Sequence, residues 1–209
     1  MKQNDYWVSI SDLMSGVVGV LVLFFVVSIL AIVGAQIAAE EEKQRGAREV
    51  VQKLSDQSKN NKAYEGIEFF SGNGLIRLAD SSFTQGSACI NKSQKILLQQ
   101  QMSEIIIKEL SQNIRLGVQI EGHTDIVPVS SSKRSSILTC APFDDNYTLS
   151  AGRAREARNA LFSDVDRATA DWMRRVSVVG YGSDRLIDVE NPESAKNRRV
   201  EIRFINIDQ

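Results

Sequence analysis

Three places in this 209-residue chain gather side chains that could do chemistry. The first is Asp12, a lone acid at the leading edge of the run LMSGVVGVLVLFFVVSILAIVGA (13–35), which itself holds no charge. An ionised carboxylate drawn below lipid headgroups costs on the order of 3 kcal/mol, so it is cheaper neutral than charged. An elementary charge crossing 100 mV is worth about 2.3 kcal/mol, so a proton taken up on one side and released on the other would drive a conformational cycle. A carboxylate serves sodium as well; protons are the favoured ion, and no other cofactor is expected. Ser9, Ser11 and Asp12 are also helix-capping types, and a cap at the interface needs no further role. The second and third places are GHTD (122–125) and NYTLSAGRA (146–154). They combine acceptor-only acids with arginine, whose guanidinium is a fork of donors. His123 is the one histidine, and neither a second histidine nor a cysteine cluster accompanies it. A hydrogen-bonded structural imidazole is therefore expected, with no metal. Without a nucleophile–base pair or a phosphate loop, no enzyme is expected.

These groups must be positioned by a membrane span and one further domain. As a helix rising ~1.5 Å per residue, 13–35 is roughly 35 Å long, enough to cross a hydrocarbon core of about 30 Å. AQIAA at 35–39 has the look of a signal-peptidase site. The apolar run is too long for a signal peptide, however, and Lys2, Asp5 and Asp12 do not make a basic leader. A retained span is expected, with 1–12 as a cytoplasmic tail. Positive charge near the ends favours the opposite orientation, since Lys43, Arg45, Arg48 and Lys53 follow the span. That count weakens when a long domain follows. Residues 36–62 read as a helical linker, with Val50, Val51 and Leu54 as a narrow stripe for a second copy, a plug, or a solvated face.

From 63 to 209 the pattern is α+β. A hairpin joins apolar segments at 67–70 and 75–78 across Ser71-Gly72-Asn73-Gly74. An amphipathic helix follows to Gln112, then a strand at 118–121. A second helix runs from near Thr148 to Phe162, a short helical piece spans 168–173, and strands at 176–179 and 200–205 close a mixed sheet packed on helices. Lys and Arg total 25 against 26 Asp and Glu; setting aside Lys2, Asp5 and Asp12 leaves 24 of each sign, which argues against nucleic acid. Cys89 and Cys140 could form one disulfide in an oxidising compartment.

GHTD, NYTLSAGRA, GYG (180–182) and NRRVEIRF (197–204), in that order, resemble the OmpA-like peptidoglycan-binding domain. The resemblance implies that Asp125 and Arg153 grip the ammonium and carboxylate of a diaminopimelate side chain, with Asn146 and Arg198 also at binding positions. A zwitterion needs an acceptor-only anion beside a planar donor fork. The alternative is an Asp125–Arg153 salt bridge tying strand to helix. Helix amides near Leu149 would add anion affinity. Segment 126–145 is longer than the family pattern and would lie over the binding face, where it could narrow or block the groove; a Cys89–Cys140 bridge could pin it, the alternative being two unpaired buried thiols. One span with an acid at its start, followed by such a domain, resembles MotB-like stator subunits, and the leading sequence looks closest to those of the Zorya anti-phage system. That resemblance implies an inner-membrane protein with Asp12 carrying the ion and a periplasmic C-terminal domain. Its partners would be a second copy, peptidoglycan and a multi-span MotA-like subunit in a ring of five around two copies of this chain. A flagellar stator and a passive peptidoglycan tether are the alternatives.

Overall fold

The computed structural model describes residues 2–59, 61–129, 140–166 and 170–207. The chain falls into two compact units, Met1–Lys43 and Gln44–Gln209. The first is helical throughout its described residues, as part of helix α1 (Lys2–Ser58). Its large apolar side chains from Leu13 to Ile37 are exposed, Phe24 at 72%. Its most apolar window has a mean hydropathy of 3.1 with none of it buried, and among the described residues this is the one helix long and apolar enough to cross a membrane. The serines within it are satisfied locally. Ser15 donates to the Ser11 carbonyl and Ser28 to the Phe24 carbonyl, both at 2.8 Å, so neither leaves an unpaired hydroxyl in an apolar setting. Asp12 is exposed and lies about three turns inside α1, which begins at Lys2. It is therefore not the cap that the residue types allowed.

The second unit is built on strands β1 (Ile67–Phe70), β2 (Leu75–Ala79), β3 (Leu116–His123), β4 (Val176–Gly180) and β5 (Arg199–Asn206), in the sheet order β1-β2-β5-β3-β4. Only β3 and β4 run parallel. A parallel pair needs a crossover, and helix α4 (Asn146–Leu161) lies between the two strands in sequence. Helices α2 (Lys92–Leu97) and α3 (Ser103–Gln112) are joined by a π-helical turn at Leu98–Met102. The single helix expected here thus carries a widened turn, which keeps Leu98 and Met102 fully buried. Alternate strand residues Ile76, Leu78, Val118, Ile120, Val200 and Ile202 form one core with the apolar faces of α3 and α4. The expected short helix near 168–173 is a 3₁₀ turn at Asp171–Arg175; residues 167–169 lie outside the described ones.

Within this unit the last turns of α1 are core. Val50, Val51 and Leu54 are 0% exposed, and each such burial contributes about 1.5–3 kcal/mol. Gly74, in the left-handed turn of the β1–β2 hairpin, lies so close to Ala47 that an added Cβ would stand 2.7 Å from the Ala47 methyl. Lys53 pairs with Glu109 of α3. The unit thus begins at Gln44 rather than near Ala63. The stripe read as a dimer contact or solvated face is filled from within, because hairpin and α3 present an apolar surface that needs a cover.

Candidate binding groove

Sheet register brings the charged groups together. Ala79 of β2 pairs with Arg199 of β5, and Arg199 pairs with His123 of β3. Past this shared row the chain leaves β2 into Asp80 and β3 into Thr124 and Asp125, while Arg198 leads into β5. Helix α4 lies against the neighbouring row, where the glycines of the GHTD and GYG motifs sit. A Cβ on Gly122 would stand 1.9 Å from the Ser150 carbonyl oxygen, and one on Gly180 would stand 2.6 Å from the Ala151 nitrogen. Only hydrogen at both positions lets the helix seat this closely. One turn beyond Ser150, Arg153 is 2% exposed.

Arg153 donates through Nε to the Ser87 carbonyl at 3.0 Å and through Nη1 to Asp80 Oδ1 at 3.2 Å, with its guanidinium 5.2 Å from the centre of the Phe83 ring. The other Asp80 oxygen accepts from Arg198 Nε at 2.9 Å, and Arg198 Nη1 donates to Asp125 Oδ2 at 2.6 Å. Asp125 Oδ1 accepts from the Val127 amide at 3.1 Å. Asn146 donates to the carbonyls of Asp125 and Val127, each at 3.1 Å, and so holds the loop after β3. All five side chains line one cavity of about 560 Å³, closed on its apolar side by Phe83, Val127, Phe143 and Leu149.

The four residues singled out in the sequence, Asp125, Asn146, Arg153 and Arg198, therefore share one groove. Asp125 and Arg153 are not directly paired. The ion pairs run Arg153–Asp80–Arg198–Asp125, and Asp80, which the motifs do not contain, joins the two arginines. Burial pushes the Arg153 pKa down, against the pull of Asp80. For Arg198 burial also opposes the charge, but the hydrogen bonds to Asp125 and Asp80 outweigh it and raise the pKa. The α4 amides offer less to an anion than expected. Asp145 caps the helix, accepting from the Thr148 amide at 2.6 Å in a reciprocal capping box.

Cys89 and Cys140 are joined, with Cα atoms 5.1 Å apart. The bridge links the loop that carries Ser87 to the end of segment 126–145. Val127, Val129 and Phe143 of that segment line the groove, while 130–139 lie outside the described residues. Beneath, Ala88, Ala141, Phe143 and Leu149 form a small apolar cluster separate from the main core.

His123 lies on the opposite face of the sheet, buried and stacked on Tyr181 at 5.4 Å. The expected hydrogen bond is not made. Among the described residues neither ring nitrogen has a hydrogen-bond partner, although Nε2 lies within ion-pair distance of Glu121 Oε2, at 3.7 Å. Glu121, His123 and Glu201 bring ligand-type atoms within 4.8 Å of one another. Glu201, however, already accepts from Arg77, Arg199 and Arg203. Three guanidiniums around two carboxylates repel a divalent cation, so this cluster is a structural ion network.

A family model described as the OmpA family matches residues 82–199. Among curated proteins, no sequence matches this chain. A MotB-like protein from Desulfovibrio vulgaris is 19% identical and superposes with a TM-score of 0.56, covering 80% of this chain and 99% of that one. The periplasmic domain of Helicobacter pylori MotB is 24% identical with a TM-score of 0.44, covering 63% and 75%. The cell wall anchor of the type VI secretion system from Pseudomonas aeruginosa is 21% identical with a TM-score of 0.44, covering 64% and 81%. At 19% identity the likeness to the Desulfovibrio vulgaris protein concerns the fold, a mixed sheet packed on helices.

Proposed function

The chain belongs to the OmpA family, and from that premise we propose that it is the B subunit of an inner-membrane, ion-driven stator, anchored to peptidoglycan and acting in anti-phage defence. The observation that carries the anchoring half is the groove, where two carboxylates and two guanidiniums converge on one cavity in a form suited to a zwitterionic diaminopimelate end. Arg198, the more exposed of the charged pair it forms with Asp125, the buried Asp125 and Arg153, and Asn146, which holds the loop after β3, are the residues that meet the ligand.

The motor half rests on Asp12, a carboxylate within an apolar helix that has no internal cover. A charge there demands a partner, and a ring of MotA-like helices around two copies of this chain supplies one while passing protons, or sodium, across the membrane. The N-terminus then faces the cytoplasm and the OmpA domain the periplasm, where an oxidising setting suits the Cys89–Cys140 bridge.

The test is phage plating on cells that carry the chain with its multi-span partner. Asp12→Asn and Asp125→Ala each abolish protection while the chain still inserts. Protection that survives Asp12→Asn but not Asp125→Ala makes the protein a passive tether, and a swimming defect in place of a plating defect makes it a flagellar stator.

A further inference from the structure

The residues that the motifs place in the groove sum to an excess of positive charge, two arginines against Asp125. The groove itself does not. Among the described residues four charged side chains line it, two of each sign, and the balancing one is Asp80. We infer that Asp80 determines the specificity of this groove: by balancing the second guanidinium it makes the site neutral, so that an amino-acid zwitterion is accepted and a bare carboxylate is refused.

Geometry supports this in two ways. Asp80 bridges both arginines, Oδ1 to Arg153 Nη1 and Oδ2 to Arg198 Nε, and so occupies one donor group on each that an incoming anion would seek. A bare carboxylate must displace it and then lie beside it as a like charge, whereas a ligand that also brings an ammonium offers Asp80 and Asp125 a partner in exchange. Arg153, almost fully buried, also needs a counter-ion when no ligand is present. Asp80 is the carboxylate in contact with it, since Asp125 is taken up by Arg198 and the Val127 amide.

The inference rests on the peptidoglycan reading, and its test separates the two. Calorimetric titration of the full chain in detergent with meso-diaminopimelate, and with pimelate, the same seven-carbon diacid without amines, gives a ratio of affinities. Wild type favours diaminopimelate. Asp80→Asn leaves the groove at +1 and narrows the ratio about tenfold, chiefly by tightening pimelate, since one like charge at about 5 Å in a partly exposed site is worth at least that much. Asp80→Glu keeps the charge and keeps the ratio. Arg198→Gln, on a half-exposed side chain, takes the groove to −1 and widens the ratio, which gives a reading of opposite sign should Asp80→Asn fail to fold. A ratio unmoved by these charge changes, with wild type still binding diaminopimelate, overturns the role of Asp80 and leaves the anchoring reading in place. Wild type that binds neither compound removes both.

Discussion

The seating of α4 on β3 makes Gly122 the position where one methyl group disables the groove without touching a ligand. A Cβ there stands 1.9 Å from the Ser150 carbonyl oxygen, whereas ordinary contact begins near 3.4 Å. The obstacle is helix backbone, which cannot rotate aside, so α4 must lift by about 1.5 Å, the difference between those two distances. Overpacking of this kind costs about 1–3 kcal/mol. For a domain of this size each kcal/mol lowers Tm by about 2–4 °C, so Gly122→Ala should melt about 2–12 °C below wild type. The same lift carries Arg153 away from Asp80 and Ser87, whose contacts of 3.2 and 3.0 Å then exceed hydrogen-bonding range. On the peptidoglycan reading the same shift draws the guanidinium away from a ligand carboxylate, and losing one charge-assisted hydrogen bond to that ligand is worth about 1.5–3 kcal/mol, so binding to purified sacculi should fall at least tenfold. Gly72→Ala is the control, an exposed glycine with nothing within 4 Å of an added Cβ, and it should behave as wild type. The assays are thermal melting of the full chain in detergent and co-sedimentation with sacculi. A Gly122→Ala protein that melts within 1 °C of the control and sediments equally would refute the argument that close seating positions Arg153.

Two further outcomes follow from the core and the ion network. Leu54→Ala should cost about 2–5 kcal/mol in chemical denaturation of the OmpA unit, because Leu54 is fully buried in its core; a free linker would lose nothing. Burial opposes the charges on Glu121 and Glu201, but His123 and Arg203 for the first, and Arg199 and Arg77 for the second, hold both pKa values below the ordinary 4.5. A depressed folded-state pKa adds stability that is complete above the unfolded value and lost as pH falls through the folded one. The urea midpoint should therefore hold down to about pH 4.5 and drop below it, more shallowly in Glu201→Gln.

What could be read from the residues divides along a physical line. The hairpin, the strands and the motif-bearing helix follow from local patterning, because alternation and turn chemistry act within a few residues. Asp80 did not, because nothing local marks it. It is one more polar residue after a strand, and its meaning arises only when β2 pairs with β5 in the register that sets Ala79 beside Arg199. The same register turns Asp125 and Arg153 from a direct pair into the ends of a four-membered chain of ion pairs, an arrangement that requires a residue more than 100 positions away from Arg198 in sequence. The stripe at Val50, Val51 and Leu54 was visible as apolar but silent about its partner, since a helix shows that it needs a cover without saying whose. The cover is the chain's own hairpin and α3. The glycines of GHTD and GYG link the two kinds of information: each is a local signature whose cause is tertiary, the approach of α4, and that approach delivers Arg153 to the acids at the ends of β2 and β3. The geometry of this groove therefore depends on backbone proximity as much as on the charged residues, and a sequence that kept Asp125 and Arg153 but gained side chains at 122 or 180 would keep the charges and lose their arrangement.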